Sequence, residues 1–305
     1  MGTDRGRGRS RSNAVDHISG LPDEILHIIL LHLPSTAEAA CTSVLSRRWR
    51  YVWTHVPVLS FSQDDHWNRG STPKGIDAAL RAHAAPTLDL LAIDVKDGVH
   101  VTPARVASWL NFASQRVAGE LSIRCSSSTQ RNLKLPVCER ATEIKLELKI
   151  GGHLRLSDAG TFAALRVLTI RCHGIHVGDL ERIVSVRCPL LQQFTLSASI
   201  GFIADDDNAL SIRSASLKRF ELCDVSGHIT IDTPRLLRLE ISRRMFIWKV
   251  IHTVHVIAPE LVEVIWHGPY YPGHDQIVKT ERHLRKLQMS SIQSFVRYAT
   301  SLSLF

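Results

Sequence analysis

The sequence predicts an α+β chain in which three short helices precede an α/β solenoid, a horseshoe with a parallel sheet. The first observation behind this prediction is the segment DHISGLPDEILHIILLHLPS, residues 16–35, in which apolar residues fill seven of the nine positions from Ile25 to Leu33. The second is the pattern L-x-x-L-x-L, which recurs from Leu165 onward at intervals of 26, 26, 19, 25 and 23 residues. The third is the composition, because 44% hydrophobic and 22% charged residues are typical of a folded protein.

Residues 1–15 predict a disordered basic tail. The formal net charge of the chain is +8, and part of it lies in RGRGRSR, where four arginines alternate with Gly and Ser. Such a segment is typical of a solvated chain end, so nucleic acid is not an expected partner. Contact of this tail with nucleic acid stays open as a rival hypothesis.

The composition also bears on cofactors, membranes and location. The six cysteines include no C-x-x-C pair, which argues against a zinc site or a redox pair. No run reaches the roughly 20 apolar residues of a membrane span. Reduced cysteines favour the cytoplasm, the nucleus or both. We therefore expect no cofactor and no membrane partner.

Residues 16–61 predict three short helices. Pro22 suits a first helical position, because a helix start cannot use the N–H that proline lacks, and this helix is expected to end before Pro34. STAE, which begins at Ser35, is a capping box that opens a second helix. Ser46 is expected to cap a third helix over RRWRYVW.

These helices carry more apolar side chains than so small a unit can bury. An amphipathic helix needs one apolar stripe, whereas the apolar residues from Ile25 to Leu33 go most of the way around the first helix. One side can pack on the sibling helices. The other side needs either an outside partner or the rest of this chain, and the pattern by itself favours neither.

Four stretches in residues 16–61 carry a resemblance to a known family. They are the opening ISGLPDEIL, the LP after the first helix, the block TSVLSRRWR and the closing VPVLSF. In this order they closely resemble the F-box of the plant F-box/leucine-rich-repeat family. In that family the F-box binds the Skp-type adaptor of SCF ubiquitin ligases, which links it to cullin. Carried over by position, the implied adaptor contacts are Leu21, Pro22, Ile25, Leu26, Ile29, Leu33 and Pro34, with Val44, Leu45, Trp49 and Trp53 either at the contact or in the internal core.

Residues 76–289 predict leucine-rich repeats, in which each unit supplies one short strand and a return segment. Six clear copies begin at Leu165, Leu191, Leu217, Leu236, Leu261 and Leu284, and weaker copies begin at Leu88, Ala118 and Ala141. CPLLQQFTLSAS, DTPRLLRLEIS and APELVEVIWHG resemble repeat openings of the same plant family. Residues 62–75 are expected to form a linker before the repeats. Residues 290–305 are expected to form an amphipathic capping helix or to end a shortened version of a longer family member.

Two segments between the repeat strands have patterns of their own. PARVASWLNFASQRV, residues 103–117, has apolar residues at helical spacing and predicts a helical return segment with Trp109 in the core. HTVH, which contains His252 and His255, lies in an alternating pattern that predicts a strand. A strand turns these two histidines to opposite faces, which argues against a metal site.

Equivalent residues of neighbouring repeats are expected side by side on the concave surface, about 4.8 Å apart. Arg219 then lies beside Arg238, and Glu221 beside Glu240, as a basic stripe next to an acidic stripe. We predict that this surface binds a target protein; the alternative is a solvated face whose charges neutralise one another. Two tyrosines of a predicted loop, Tyr270 and Tyr271, are expected to form a hot spot of target binding. The residues assigned to target binding are Arg219, Glu221, Arg238, Glu240, Tyr270 and Tyr271.

Motifs of catalysis are absent from the sequence, which has no G-x-S-x-G, no phosphate-binding G-x-x-x-x-G-K-[ST], no G-x-G-x-x-G and no H-E-x-x-H. We therefore expect a non-catalytic chain. The resemblance implies a substrate-recognition subunit of an SCF-type ubiquitin ligase, with the F-box on the adaptor and the repeats on a target protein. The alternative is a non-catalytic scaffold or competitor that binds the adaptor without delivering a target.

Overall fold

The fold is described from a computed structural model. It describes residues 18, 20–62, 72–127, 132–157, 159–203, 209–224, 227–243, 253–268, 270, 274–278 and 284–290. The predicted tail at residues 1–15, His252, Tyr271 and residues 291–305 of the predicted capping segment lie outside these residues.

The N-terminal unit contains three short α-helices and two 3-10 turns. Helix α1 is Asp23–Leu31, α2 is Thr36–Cys41 and α3 is Trp49–Val52. The 3-10 turns are Thr42–Val44 and Trp53–His55, and they extend α2 and α3. The predicted cap of α2 is present, because the Ser35 hydroxyl accepts from the Glu38 N–H at 3.3 Å. The Ser46 hydroxyl accepts from the Trp49 N–H at 3.4 Å, but α3 begins later than predicted, with Arg48 as its N-cap residue.

The rest of the chain alternates strands with return segments. In chain order, these elements are β1 (Val58–Phe61), α4 (Pro73–Ala82), β2 (Leu88–Asp94), α5 (Pro103–Arg116), β3 (Val117–Ser127), β4 (Leu133–Leu135), β5 (Glu143–Leu156), β6 (Val167–His176), α6 (Val177–Arg182), β7 (Gln193–Ile203), β8 (Ala209–Arg213), β9 (Arg219–Cys223), β10 (His228–Asp232), β11 (Arg238–Ser242), β12 (Thr253–Ile257), β13 (Glu263–His267), β14 (Gln276–Val278) and β15 (Lys286–Ser290). A π-helical turn, Ile183–Arg187, follows α6.

The large sheet has the strand order β1-β2-β3-β5-β6-β7-β9-β11-β13-β15, with β4 beside β5, and every pair is parallel. The six clear motifs form β6, β7, β9, β11, β13 and β15, each of which begins two residues after the first leucine of its motif. The predicted parallel horseshoe sheet is therefore confirmed.

The return segments change type along the chain. In the first half they include the helices α4, α5 and α6, and the helix predicted over residues 103–117 is present as α5. In the second half they are strands, which form a second parallel sheet in the order β14-β12-β10-β8. The strand predicted around HTVH is β12 of this sheet. The other three strands of the second sheet were not predicted.

One continuous core fills the space between the large sheet and the return segments. Trp109 of α5 is buried in it, as predicted, and its Nε1–H donates to Asp77 of α4 at 2.8 Å. Arg105 donates to the other oxygen of the same carboxylate at 2.8 Å. Further along, the rings of Phe194 and Phe220 stack with centroids 5.2 Å apart. The repeats thus pack on one another as the pattern requires.

The helical unit is joined to the solenoid through β1. This strand closes the stretch that resembles the F-box, and it is also the first strand of the large sheet, paired with β2. The Thr36 hydroxyl of α2 accepts from the Ser60 N–H at 2.7 Å. The N–H of Ala84 donates to the Thr54 carbonyl at 2.8 Å. These bonds hold the helices against the first repeat.

Two further features complete this joint. His83, at the end of α4, donates from Nε2 to the Val56 carbonyl at 3.0 Å. Burial, the largest effect, lowers the pKa of its imidazole, and the nearby Arg116 guanidinium lowers it further, although the bond to Val56 opposes both. Helix α4 begins at Pro73 behind the Thr72 cap, so residues 73–75 of the stretch expected as a linker lie in a helix.

Candidate functional site

The inner face of α1 closes the core of the helical unit. Leu26 is fully buried and Leu30 nearly so, and they pack with the side chains of Trp49, Val52 and Trp53. This cluster leaves the helical unit with a complete interior of its own. Any further apolar side chain on α1 therefore faces outward.

The outer face of α1 carries four exposed apolar side chains. Their exposed fractions are 41% for Ile25, 50% for Ile28, 40% for Ile29 and 43% for Leu31. The turn after α2 adds two more, since Val44 is 86% and Leu45 65% exposed. Four large apolar side chains exposed on one short helix are unusual for a monomeric protein, and such patches are typical of protein interfaces. We call these six residues the apolar face.

The structure divides the predicted adaptor contacts into two groups. Those open to solvent, fully or in part, are Leu21, Pro22, Ile25, Ile29, Leu33, Pro34, Val44 and Leu45. Those inside the helical unit are Leu26, Trp49 and Trp53, which support the surface from beneath and do not form it. This revises the expectation that Leu26 is itself a contact.

Ile28, Leu31 and Tyr51 are exposed and were not among the predicted contacts. The resemblance carries over single motif positions and passes over the residues between them. The sequence alone gives no signal for them, because apolar residues surround most of α1. The structure buries Leu26 and Leu30, which are four residues apart, and this fixes which face of α1 turns outward. On that basis Ile28 belongs with Ile25 and Ile29.

Two side-chain contacts hold α1 in place. The His27 imidazole bonds through Nε2 to the Val52 carbonyl at 3.1 Å. The Arg48 guanidinium donates from Nε to the Asp23 carboxylate at 2.8 Å. Both contacts join α1 to the α3 region. They keep the orientation of the apolar face fixed relative to the rest of the helical unit.

The concave surface has the residue rows that the repeat spacing predicts. Arg219 is in register with Arg238, and Glu221 with Glu240. The basic stripe is nevertheless partly neutralised, because Arg238 donates to Glu263 at 3.0 Å and to Glu240 at 3.3 Å. The ion pairs of Arg238 fit the alternative of a self-neutralising face. The register of the stripes fits the predicted target-binding surface.

The other members of this surface differ in their partners. The Glu221 carboxylate accepts from the Thr195 hydroxyl at 3.1 Å and from the Cys223 thiol at 3.4 Å. Glu263 also accepts from Lys286 at 2.6 Å, and these bonds lower the pKa of Glu263. Arg219 is exposed, and within the described ranges its side chain has no hydrogen-bond or ion-pair partner. Its charge is available to a ligand.

A second concave region lies on the first strands. Arg124 contacts Asp94 at 3.6 Å and Glu147 at 2.9 Å, and Arg171 contacts Glu147 at 3.4 Å. These alternating charges line a groove of about 270 Å³ together with Lys145 and Thr169. The ion pairs compensate one another, so this groove presents little net charge.

Tyr270 is held by its neighbours. Its hydroxyl donates to the Asp275 carbonyl at 3.1 Å, and its ring meets Trp266 edge-on with centroids 5.1 Å apart. Asp275 is also the acceptor of a bidentate ion pair with Arg243, at 2.9 and 2.7 Å. Tyr270 is therefore part of a packed cluster at the end of the second sheet, with only part of its surface free.

Four thiols of the solenoid are buried and the fifth, that of Cys223, is half-buried. Burial raises the pKa of all five to about 12, namely Cys125, Cys138, Cys172, Cys188 and Cys223. A thiol with so high a pKa is protonated near neutral pH and is a poor nucleophile. Among the described residues, no group of three or more His, Cys, Asp or Glu side chains could hold a metal ion. No described helix is both long and apolar enough to cross a bilayer.

Comparison with known proteins identifies both units. A family model described as the F-box domain matches residues 18–61. A second model, described as the LRR repeats of FBD-associated F-box protein At5g56370, matches residues 106–296, more than half of the chain. No solved structure matches the chain.

Three relatives from Arabidopsis thaliana show the extent of the similarity. F-box/FBD/LRR-repeat protein At5g56420 is 28% identical over 298 residues, which are 93% of this chain and 67% of the relative. F-box protein At5g03100 is 30% identical over 75% of this chain and 71% of the relative. Putative F-box protein At3g58860 is 29% identical over 75% of this chain, which spans only 52% of that relative. The chain therefore belongs to the plant F-box/leucine-rich-repeat family.

Proposed function

We propose that the chain is the substrate-recognition subunit of an SCF-type ubiquitin ligase. In this proposal the F-box binds a Skp-type adaptor, and the concave surface of the repeats binds a target protein. The observation that carries the proposal is the apolar face, which is open to solvent although the helical unit already has a closed core. F-box domains generally bind Skp-type adaptors, so the match over residues 18–61 supports this class of partner.

The proposed mechanism is proximity and needs no catalytic residue on this chain. The adaptor links the F-box to cullin, which carries the conjugating enzyme, while the repeats hold the target. A target lysine is thereby kept near the activated ubiquitin, which raises its effective concentration. The hydrogen bonds between the helical unit and the first repeat support this role, because they fix the two binding surfaces relative to each other.

Burial of the apolar face contributes part of the free energy of association. Full burial of one isoleucine side chain contributes about 1.5–3 kcal/mol. Ile25 and Ile29 are about half-exposed, so covering both contributes roughly 1–3 kcal/mol. A carboxylate placed at either position would be desolvated by the adaptor, which adds a further cost. Charge substitution at these two positions is therefore a sensitive test.

The test is capture of a purified Skp-type adaptor by the tagged chain. We expect the double variant Ile25→Asp, Ile29→Asp to bind at least about 10-fold more weakly than the unmodified chain. The matched control is Val186→Asp, Leu190→Asp, which changes two exposed apolar residues of the solenoid. This control should capture the adaptor normally, and both variants should unfold thermally like the parent.

Two outcomes would overturn the proposal. Failure of the unmodified chain to capture the adaptor rules out the ligase role. Equal capture by the parent and the double variant places any contact elsewhere than on α1. A chain that captures adaptor and cullin but supports no ubiquitin transfer to any bound protein acts as a scaffold or competitor instead.

A further inference from the structure

We infer that the target protein is recognised through a short acidic segment that binds three cations at one edge of the concave surface. These residues, Arg166, Lys218 and Arg219, are called the basic rim. The inference rests on the proposed function and specifies the class of target. The basic rim differs from the basic stripe of Arg219 and Arg238 that the sequence predicted. Arg238 is already paired with carboxylates, and Arg166 and Lys218 were not part of the prediction.

Backbone hydrogen bonds fix where the basic rim lies. The N–H of Gln192 donates to the Arg166 carbonyl at 2.8 Å, and the N–H of Lys218 donates to the Gln192 carbonyl at 2.9 Å. Arg166, Gln192 and Lys218 therefore hold equivalent positions just before β6, β7 and β9. Since neighbouring strands are about 4.8 Å apart, the backbones at Arg166 and Lys218 are about 10 Å apart. Arg219 follows on the concave side.

The basic rim carries positive charge that nothing else in the described part of the chain compensates. All three side chains are exposed, and none has a described carboxylate within ion-pair distance. The nearest row carboxylate, Glu221, is already bonded to a hydroxyl and a thiol. The other described cations of the concave rows are all paired with carboxylates, namely Arg124, Lys145, Arg171, Arg238 and Lys286. A ligand of negative charge therefore gains most at the basic rim.

The neighbours of the basic rim favour a polypeptide over a nucleic acid. Leu237 is in the next equivalent position, since its N–H donates to the Lys218 carbonyl at 2.9 Å, and its side chain is 40% exposed. This offers an apolar contact beside the cations. Glu221 borders the rim on the concave side and would repel a continuous polyanion. A short segment with a few carboxylates avoids that repulsion.

The spacing also defines the segment. An extended peptide rises about 3.3 Å per residue, so two carboxylates three residues apart span the roughly 10 Å between Arg166 and Lys218. One further strand step of about 4.8 Å reaches Leu237, which corresponds to one or two residues more. The expected ligand is a segment of the form Glu-x-x-Glu-x-Leu.

The experiment measures binding of a fluorescein-labelled peptide containing Glu-Gly-Ser-Glu-Gly-Leu by fluorescence anisotropy at low ionic strength. The full chain is compared with the variant Lys218→Glu, Arg219→Glu. The matched control is Lys74→Glu, Arg213→Glu, which makes the same change in net charge at exposed positions of α4 and β8. We expect at least about 10-fold weaker binding for the rim variant and less than about 2-fold change for the control. Added salt should weaken binding by the parent.

Several results would overturn the inference. They are absence of peptide binding by the parent, equal affinity for a peptide with Gln in place of Glu, or an equal loss of binding in rim variant and control. Tighter binding of a single-stranded oligonucleotide at the same residues would also overturn it. The Ile25→Asp, Ile29→Asp variant should bind the peptide like the parent. Normal adaptor capture without peptide binding therefore refutes this inference alone.

Discussion

The backbone at Gly119 approaches the neighbouring strand so closely that no side chain fits there. A Cβ atom at this position would lie 2.1 Å from the Asp89 carbonyl oxygen. The pairing of β2 with β3 shifts register between Leu88 and Leu90, which brings the two backbones together at this point. Because the obstacle is backbone, a larger residue cannot be accommodated by a side-chain rotation.

We expect Gly119→Ala to lower the free energy of unfolding by about 2–4 kcal/mol, since β2 and β3 must separate locally to admit a methyl group. Urea unfolding of the full chain measures this change. Gly20→Ala is the control, because no atom lies within 4 Å of a Cβ at that position, and it should change the stability little. Equal stability of the two variants would contradict the close approach.

A buried carboxylate makes part of the stability depend on pH. Asp179 is 2% exposed, and its carboxylate accepts from Arg155 at 2.8 Å, from the Leu156 N–H at 3.3 Å and from Arg182 at 3.0 Å. Burial raises its pKa, but the bonds from Leu156 and Arg155 outweigh burial and lower the pKa below its ordinary value. The carboxylate is therefore more acidic in the folded chain than in the unfolded chain.

The stabilisation from Asp179 should be present above about pH 4 and be lost as the pH falls through the lowered pKa of the folded state. We expect Asp179→Asn to lower the free energy of unfolding by about 1–3 kcal/mol at neutral pH and by less near pH 3. Urea unfolding at a series of pH values tests this. A loss that is the same at both ends of the series would refute it.

The sequence could not predict which side chains pair with each charged residue of the concave surface. The repeat spacing places Arg219 and Arg238 side by side, because register follows from strand pairing alone. Whether each charge is free depends on side-chain conformation and on the residues of the next strand, as Glu263 shows for Arg238. Lys218 was missed because it precedes the alternating part of the strand.

At the level of elements, the strands of the large sheet were the most predictable part of the fold. Each carries two buried residues at a spacing of two behind a leucine, and this pattern repeats with a regular interval. The second sheet was largely missed, because no leading leucine motif marks its strands and they lie between stronger patterns. Short alternating segments such as HITID give a weak signal by themselves.

For the helices, the sequence predicted a starting point but not which side of α1 faces outward. A capping residue predicted where helix α2 begins, since Ser35 accepts the Glu38 N–H. The sequence could not predict which apolar residues of α1 face outward, because apolar residues surround most of that helix. That assignment needs the packing of Leu26 and Leu30 against Trp49 and Trp53.

The bond between α2 and β1 gives a test at this scale. The Thr36 side chain is buried, and its hydroxyl is the acceptor for the Ser60 N–H. Thr36→Val keeps the shape but leaves this N–H without an acceptor, so we expect a loss of about 1–3 kcal/mol in the free energy of unfolding.

Thr142→Val is the matched control for Thr36→Val. The Thr142 hydroxyl donates to the Gly119 carbonyl at 3.3 Å on an exposed part of the chain, where water can replace it. Chemical unfolding of both variants should therefore separate them by more than about 1 kcal/mol. A loss of similar size in both would mean that the α2–β1 bond does not hold the first strand.

At the scale of the whole molecule, helices cover one edge of each sheet. The helical unit covers β1 at the first edge of the large sheet, through Thr36. At the edge of the second sheet, Glu181 and Ser185 accept the backbone N–H groups of Ser211 and Arg213 in β8. Unpaired strand edges promote association between chains, so these contacts protect the solenoid as well as shaping it.

The helical unit should accordingly be required for the repeats to stay monomeric. We expect a chain that lacks residues 1–56 to aggregate, because removal of α1 to α3 exposes β1 and the residues beneath it. Light scattering and size-exclusion chromatography measure this. A chain that lacks only residues 1–17 is the control and should remain monomeric. A monomeric, cooperatively unfolding 57–305 fragment would show that the repeats do not need the helices.

Because β1 belongs to both units, the number of strands sets how far a ligand of the concave surface lies from the helical unit. The path from β1 to β9 crosses β2, β3, β5, β6 and β7, and at about 4.8 Å per strand it measures about 29 Å along the sheet. Moving a binding site by one repeat changes this distance by the spacing of one strand, about 4.8 Å. If the proposed function holds, adding or removing a repeat changes which lysine of a target is presented, with the chemistry unchanged.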